Sequence, residues 1–270
     1  DHLSPEDLAE IQKWVGSDNS EIIEEFEKRF ARIIGDGQTV SFAAGRMGFY
    51  ALMQVLGIKT GDEVILQGAT CSVMVNAVLR IGASPVYADI DPVTFGSSAS
   101  AIEKVLTSQT KMIVAQQSFG IPCDILPIVK LAQEKNIFLL EDCALTLGSK
   151  LQGVVCGNFG NASLFSTDHS KPLNTLTGGL LYTKSLSLYK SLKEVQQEAQ
   201  SLPKWKQQAL WEQLLFERKY CRPDRYGKMK LFSAIRSKIN LNRRPFLDDD
   251  FTATPSDSYP YPAKLAPFLA

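Results

Sequence analysis

Predicted strands and helices alternate regularly between residues 63 and 140. Strands are predicted at 63–66, 85–88, 112–115 and 137–140, and helices at 72–81, 99–106 and 125–134. Because these strands are apolar on both faces, helices must cover both sides of the sheet that they form. The pattern therefore predicts an α/β fold with three layers, α/β/α, around a mostly parallel central sheet.

Two further helices are predicted before this alternating segment. Residues 21–34 (EIIEEFEKRFARII) place isoleucines and phenylalanines on one stripe, and Gly35 and Gly37 end the helix. Residues 45–56 (GRMGFYALMQVL) have helical composition and begin at a glycine. Small residues at a helix start leave backbone N–H groups that can bind an anion, although glycine there is more often structural. From the residues alone, both interpretations stay open.

Charge and histidine content exclude several classes of function. The 270 residues contain 29 Lys+Arg and 29 Asp+Glu, and this balance argues against a dedicated nucleic-acid-binding protein. The two histidines, His2 and His169, are too few for a multi-histidine site, and we expect no bound metal. The five cysteines form no C-x-x-C pair, which favours reduced thiols. With neither a signal peptide nor an apolar run long enough to span a membrane, we expect a cytoplasmic protein.

The overall neutrality hides two regions of opposite charge. Residues 1–36 hold ten acids against four bases, whereas residues 203–244 hold twelve bases against three acids, a local net charge of +9. Within the basic region, residues 205–220 predict an amphipathic helix. This helix either packs on the large domain with a solvated basic face, or binds a diphosphate-linked sugar or an anionic membrane surface through residues 203–244.

Composition also suggests a division of the chain into three parts. We expect residues 1–202 to form one large domain and residues 203–250 to be a basic, partly helical insertion. Residues 251–270 are rich in Pro, Ser and Thr and then turn apolar, which suggests the start of a small C-terminal domain. On this interpretation the chain is truncated, and most of the small domain is absent.

Two stretches carry residues suited to catalysis. Residues 138–144 (FLLEDCA) deliver two acids at the carboxyl end of a predicted strand, where ligands bind in open parallel sheets. Asp142 could pair with a protonated ring nitrogen, coordinate a metal or cap a following helix. Residues 162–173 (ASLFSTDHSKPL) place Lys171 among hydroxyls, a setting suited to Schiff-base chemistry. No G-x-G-x-x-G or P-loop motif is present, so a phosphorylated cofactor would need another anion site.

Taken in order along the chain, these motifs resemble the DegT/DnrJ/EryC1/StrS family of pyridoxal-phosphate-dependent sugar aminotransferases. The matching motifs are EIIEEFEKRFARIIG, AAGRMGFYALMQVLGI, TGDEVIL, GATCSVMVNAV, GASPVYADIDPVTF, FGIPCD, LLEDCALTLGS and FSTDHSKPLNTLTGGLLYT. The resemblance implies a fold type I large domain, bound pyridoxal 5′-phosphate with pyridoxamine 5′-phosphate as intermediate, and a homodimer. It further implies amino transfer, with glutamate as donor, to a nucleotide-linked keto sugar in polysaccharide or antibiotic sugar biosynthesis.

The resemblance also implies roles for individual residues. Lys171 falls at the position of the lysine that forms an aldimine with the cofactor and then shuttles a proton. Asp142 matches the carboxylate that pairs with the pyridinium nitrogen. Ser166 and the backbone of Gly45 and Arg46 fall at phosphate-binding positions.

Several positions depart from the family pattern. Arg46 replaces the usual threonine, and its side chain could contact phosphate or point to solvent. Cys71 stands where many members stack an aromatic ring on the cofactor, and Leu145 stands where glutamine is common beside the ring oxygen. Gln117 stands where histidine is frequent. These changes bear on substrate handling more than on cofactor binding.

Two alternatives to the aminotransferase remain open. A branch of the family replaces the lysine by histidine and acts as a sugar dehydratase. Here His169 lies two residues before the lysine position, which Lys171 occupies, so the spacing favours the aminotransferase. The second alternative is a non-catalytic paralogue that keeps the fold for binding or regulation, and Cys71 and Leu145 are the residues that favour it.

Overall fold

A seven-stranded sheet forms the centre of the computed structural model, which describes residues 3–220, 227 and 260–270. Within this part of the chain, the α-helices are α1 (Pro5–Gln12), α2 (Ser20–Ile34), α3 (Gly45–Val55), α4 (Ser72–Arg80), α5 (Ala99–Val105), α6 (Ile125–Lys135), α7 (Leu186–Glu198) and α8 (Lys204–Tyr220). The strands are β1 (Gln38–Phe42), β2 (Glu63–Gln67), β3 (Ser84–Ala88), β4 (Thr110–Gln116), β5 (Phe138–Asp142), β6 (Lys150–Leu151), β7 (Val154–Val155), β8 (Ala162–Ser166), β9 (Gly179–Thr183), β10 (Gln200–Ser201) and β11 (Ala263–Lys264). The predicted strands and helices are confirmed, with ends that shift by one or two residues.

The sheet is parallel except for one strand. Its order is β1-β9-β8-β5-β4-β2-β3, and the neighbours from β8 through β5, β4 and β2 to β3 all pair in parallel. Strand β9 runs antiparallel to both β8 and β1. The predicted mostly parallel sheet is therefore confirmed, and the carboxyl ends of β4, β5 and β8 meet at one edge.

Helices cover both faces of the sheet, which explains why the strands are apolar throughout. Along β2, Val64 and Leu66 belong to the main core cluster with α3, α4 and α7, whereas Ile65 packs on the opposite face with α5 and α6. The same alternation separates Leu140 from Leu139 in β5. The three-layer α/β/α architecture is confirmed.

Helix α8 packs on the main core together with the end of the chain. Leu210 and Trp211 are buried, and the Trp211 ring meets the Phe268 ring at a centroid distance of 6.4 Å. Strand β11 pairs in parallel with β10 just before α8. This packing is what the first alternative for the amphipathic helix predicts.

The other predictions for the basic region are not decided by these contacts. Apart from Gly227, residues 221–244 lie outside the described residues, so membrane contact through 203–244 stays a prediction, as does the division of the chain at residues 202 and 250. In the described part of the chain, no helix is both long enough and apolar enough to cross a membrane.

Candidate active site

One cavity of about 290 Å³ opens at the edge of the sheet where the parallel strands end. It brings together the residues for which the sequence resemblance implies a catalytic or cofactor-binding role. The lining includes Gly45, Arg46, Cys71, Asp142, Leu145, Ser166 and Lys171. The roles of these residues stay predictions, but their common location is a property of the fold, since ligands of open parallel sheets bind at this edge.

Asp142 is the last residue of β5 and lies on the floor of the cavity. Its side chain is only 8% exposed, and Oδ1 accepts a hydrogen bond from the Ala144 N–H at 3.0 Å. Burial raises the pKa of the Asp142 carboxyl, while the Ala144 hydrogen bond and the charge of Lys171 lower it. A cationic ligand group beside Asp142 would therefore favour its ionised form.

The helix-cap interpretation of Asp142 is wrong. The segment after β5 forms turns, and the next regular element is β6 at Lys150–Leu151. The Asp142 carboxylate bonds to the backbone only two residues on, as in an Asx turn. It thus stabilises the turn, and no helix follows that it could cap.

Lys171 lies on the loop between β8 and β9, and hydrogen bonds anchor this loop on both sides. The Lys171 N–H donates to the Asp168 carbonyl at 2.9 Å. The hydroxyls of Thr175 and Thr167 lie 2.7 Å apart, which joins the two ends of the loop. The Thr177 hydroxyl donates to the Ala43 carbonyl at 2.7 Å, just before α3 begins. These bonds fix the position of Lys171 relative to the start of α3.

The N-terminus of α3 forms the other end of the cavity. The cap residue Ala44 makes no side-chain cap hydrogen bond, so the first N–H groups of the helix need other partners. Ser166, the last residue of β8, lies beside Gly45, with its Cβ 3.5 Å from where a Cβ on Gly45 would be. A hydroxyl next to a helix N-terminus is a suitable setting for an anion.

Arg46, the second residue of α3, also lines this end of the cavity. The residue is only 9% exposed and lines the cavity, so the alternative in which its side chain points to solvent is wrong. Its carbonyl accepts a hydrogen bond from the Tyr261 hydroxyl at 3.2 Å. The C-terminal segment of the described chain therefore helps to position the start of α3.

The glycine pair after Lys171 is required by close packing against α3. A Cβ on Gly179 would overlap the backbone of Ala44 and Gly45. Gly178 adopts a φ of +150°, and a Cβ there would overlap the Thr167 hydroxyl. The Gly-Gly sequence thus lets β9 approach the N-terminus of α3 closely enough to form the anion-binding end.

Glu141 precedes Asp142 but serves a different purpose. Its side chain is fully buried away from solvent and accepts hydrogen bonds from the N–H groups of Gly157, Phe159 and Gly160 at 2.6–2.8 Å. The Gln117 side chain donates a further bond at 2.9 Å. Burial raises the pKa of Glu141, and these hydrogen bonds act against it. Glu141 holds a loop, so only one of the two adjacent acids lines the cavity.

Three cysteines near the sheet pack in its hydrophobic core clusters. Cys123, Cys143 and Cys156 are buried. Burial raises the pKa of Cys123 to about 12 and that of Cys156 to about 11, and it raises the pKa of Cys143 well above its usual value. These thiols stay protonated at neutral pH and are poor nucleophiles. Cys221 lies outside the described residues.

Several lining residues were not predicted from the sequence. His169 lies in the cavity wall, with Nδ1 2.7 Å from Oδ1 of Asp168. Helix α8 contributes Leu210, Gln213 and Glu217 to the opposite part of the wall. The i, i+3, i+7 spacing of these three residues places them on one helix face, but the spacing alone does not tell which surface that face covers.

The fold matches solved structures of aminotransferases. One is an aminotransferase from Psychrobacter cryohalolentis, which is 27% identical with a TM-score of 0.69, covering 74% of this chain and 52% of that one. Another is DesI in the presence of its TDP-sugar product, 27% identical with a TM-score of 0.67, covering 73% of this chain and 51% of that one. The fold is therefore that of the type I pyridoxal-phosphate-dependent aminotransferases.

Sequence comparison then gives the family. The model of the DegT/DnrJ/EryC1/StrS aminotransferase family matches residues 5–220, and the chain belongs to this family. GDP-perosamine synthase from Escherichia coli O157:H7 is 37% identical over 176 residues, which are 65% of this chain and 48% of the synthase. The chain spans about half the length of the curated relatives that it matches.

Proposed function

We propose that this protein binds pyridoxal 5′-phosphate and transfers an amino group from an amino acid, glutamate, to the ketone of a nucleotide-linked sugar. One observation carries the proposal: Lys171 and Asp142 line the same cavity as Ser166 and the N-terminus of α3. An amine, a buried carboxylate and an anion-binding helix start are the groups that this cofactor requires.

The chemistry of the lining residues fits the cofactor. Gly45, Arg46 and Ser166 would hold the phosphate at the start of α3. Asp142 would pair with the ring nitrogen, because a cationic partner offsets the cost of burying its carboxylate. Lys171 would supply the amine that binds the aldehyde group of the cofactor.

Two further residues would pack against the ring. Cys71, the residue before α4, offers a polarizable sulfur to the ring face. Leu145 offers an apolar side chain where the family commonly has glutamine, so a hydrogen bond to the ring oxygen is lost. When bound, the cofactor supplies an electron sink for the carbon that exchanges its amino group.

The amine of Lys171 is the proton-transfer group of the proposed reaction. Once released, its Nζ would take the proton from the substrate carbon and return it to the carbon on the other side of the transferred nitrogen. The threonine bonds of the loop and the Lys171 N–H bond to Asp168 limit the positions that this amine can take. Asp142 would keep the ring nitrogen protonated, which makes the substrate carbon more acidic.

A nucleotide sugar as amino acceptor and a homodimer complete the proposal. The DesI structure was obtained in the presence of a TDP-sugar product, and GDP-perosamine synthase names a GDP-linked amino sugar. These relatives support the substrate class, while the nucleotide and the ring position stay open. We also propose that residues 1–202 act as the cofactor-binding domain.

Absorption spectroscopy tests the proposal directly. The purified chain with pyridoxal 5′-phosphate should show a visible absorption band. Borohydride should then fix the cofactor covalently to Lys171, and Lys171→Ala should abolish the band. Glutamate should then bleach the band, and added keto sugar should restore it. A colourless protein after cofactor addition would refute cofactor binding. A coloured protein that glutamate does not bleach would favour the dehydratase or the non-catalytic paralogue.

A further inference from the structure

Helix α8 contributes to the wall of the candidate active site, although it follows all the strands of the central sheet in the chain. Leu210 is buried in the main core and anchors the helix there. Gln213 and Glu217, one and two turns further on, line the cavity that Lys171 also lines. Both side chains are half-buried. A polar face of α8 is thus turned toward the place where a substrate would lie.

Gln213 and Glu217 form a preorganised pair. The amide Nε2 of Gln213 donates a hydrogen bond to Oε1 of Glu217 at 2.8 Å. This i, i+4 contact on one helix limits the rotamers of the carboxylate. The second oxygen, Oε2, can then accept from a ligand, and the Gln213 carbonyl oxygen is a further acceptor beside it.

The charges around the cavity indicate which part of a substrate this pair suits. Lys171 and Arg46 supply positive charge at the sheet edge, where the phosphate-binding end lies. Asp142 is buried in the floor, and Asp168 is held by His169 and Ser170. Glu217 therefore makes the α8 wall negative and disfavours a second phosphate against it. A neutral group rich in hydroxyl donors is the complementary ligand.

We infer that Glu217, oriented by Gln213, binds hydroxyl groups of the sugar ring of the substrate and so contributes to substrate specificity. The inference rests on the proposed function and extends it to a residue of α8. A carboxylate accepts hydrogen bonds without donating any, whereas sugar hydroxyls donate, so the pairing is charge-assisted. The diphosphate of the nucleotide would then lie away from this wall.

Binding measurements on the full chain with bound pyridoxal 5′-phosphate test the inference. The probes are GDP-mannose, UDP-glucose and dTDP-glucose, with GDP, UDP and dTDP as matched ligands without a sugar, measured by isothermal titration calorimetry. Glu217→Gln should weaken binding of the nucleotide sugar with the highest affinity by about tenfold, because the neutral amide loses the charge-assisted hydrogen bond that the carboxylate accepts. The affinity for the free nucleotide should not change. Gln213→Leu should shift sugar binding in the same direction by a smaller factor.

The same helix provides a matched control. Gln208 donates to Glu212 at 3.3 Å with the same i, i+4 spacing, but both residues are exposed and neither lines the cavity. Glu212→Gln should leave both affinities unchanged. The inference is wrong if Glu217→Gln lowers the affinities for the nucleotide sugar and for the free nucleotide equally, or if it lowers neither affinity.

The test also separates this inference from the proposed function. A wild-type chain that binds none of the three nucleotide sugars overturns the role of Glu217. The visible band and its bleaching by glutamate depend on Lys171 and not on Glu217, so they report on the proposed function independently. Thermal unfolding of Glu217→Gln should match that of the wild type, which excludes a loss of folding as the cause.

Discussion

The charge of Lys171 acts on the buried carboxyl of Asp142 and lowers a pKa that burial raises. The two residues come from different elements: Asp142 ends β5, and Lys171 lies on the loop after β8. Their proximity follows from the parallel pairing of β5 with β8, which places Asp142 beside Leu164. The cavity thus couples its amine and its carboxylate before any ligand contributes.

The raised pKa of Asp142 predicts a pH-dependent stability difference for Asp142→Asn. Because the folded state holds the Asp142 proton more tightly, raising the pH above the ordinary value of 3.8 deprotonates the unfolded chain first and lowers the free energy of unfolding. The loss is complete once the pH exceeds the raised folded pKa. The midpoint of thermal unfolding of Asp142→Asn, relative to wild type, should therefore rise as the pH increases above 3.8 and level off above the raised folded pKa of Asp142.

Added pyridoxal 5′-phosphate should reverse the order of the unfolding temperatures of the wild type and Asp142→Asn. The wild type should gain more in unfolding temperature than Asp142→Asn, because only the carboxylate pairs with a protonated ring nitrogen. Scanning calorimetry at several pH values, with and without the cofactor, gives both differences. A difference in midpoint that does not depend on pH would contradict the raised pKa of Asp142.

The strand pattern predicts that Glu141 and Asp142 lie at the edge of the sheet, but it does not predict which of the two faces the cavity. The motif that ends β5 predicts two acids at the carboxyl edge of a parallel sheet, and that edge is where the cavity opens. Side chains alternate along a strand, so the two acids must face opposite sides. Which one faces the cavity depends on the loop around Gly157, which binds Glu141 and whose path the sequence pattern does not predict.

Glu141→Gln should therefore destabilise the fold. The glutamine can present one oxygen to the donors of Gly157, Phe159, Gly160 and Gln117 and turns an NH₂ group toward the rest. We expect a loss of about 3 kcal/mol or more in the free energy of unfolding, since each unsatisfied buried group costs about 1–3 kcal/mol. Urea unfolding measures this loss. Glu134→Gln on the surface of α6 is the control and should change stability little.

The contribution of α8 to the site depends on tertiary packing. The sequence predicts a helix at residues 205–220, but its orientation is set by contacts of Trp211 with Phe268 and by the pairing of β10 with β11. These partners come from residues 260–270, about sixty positions further along the chain. The direction of β9 likewise depends on tertiary packing. The sequence does not predict that it runs antiparallel, since its side chains alternate in the same way as those of the parallel strands.

Gly179→Ala should disturb both stability and the anion-binding end of the cavity. The added methyl group would overlap the backbone of Ala44 and Gly45, so β9 and α3 must separate. Overpacking of this kind costs about 1–3 kcal/mol. Cofactor affinity, measured by titration of the visible band, should fall with stability. Gly68→Ala is the matched control, because its methyl group would meet only the Ala88 carbonyl at 3.5 Å, an ordinary contact.

Among the four cysteines in the described part of the chain, Cys71 should be the one that reacts with alkylating reagents in the folded protein. Pyridoxal 5′-phosphate should protect it. Cys71 is exposed and lines the cavity, whereas Cys123, Cys143 and Cys156 are buried with raised pKa values. Peptide mass mapping after brief iodoacetamide treatment should show label at Cys71. The three buried cysteines should be labelled only after the protein is unfolded. Because the ring of the cofactor would pack against the sulfur, its addition should slow Cys71 labelling several-fold. Inorganic phosphate, which on the proposed function would bind only at the end near Gly45, should not slow it, and equal protection by both ligands would place the ring elsewhere.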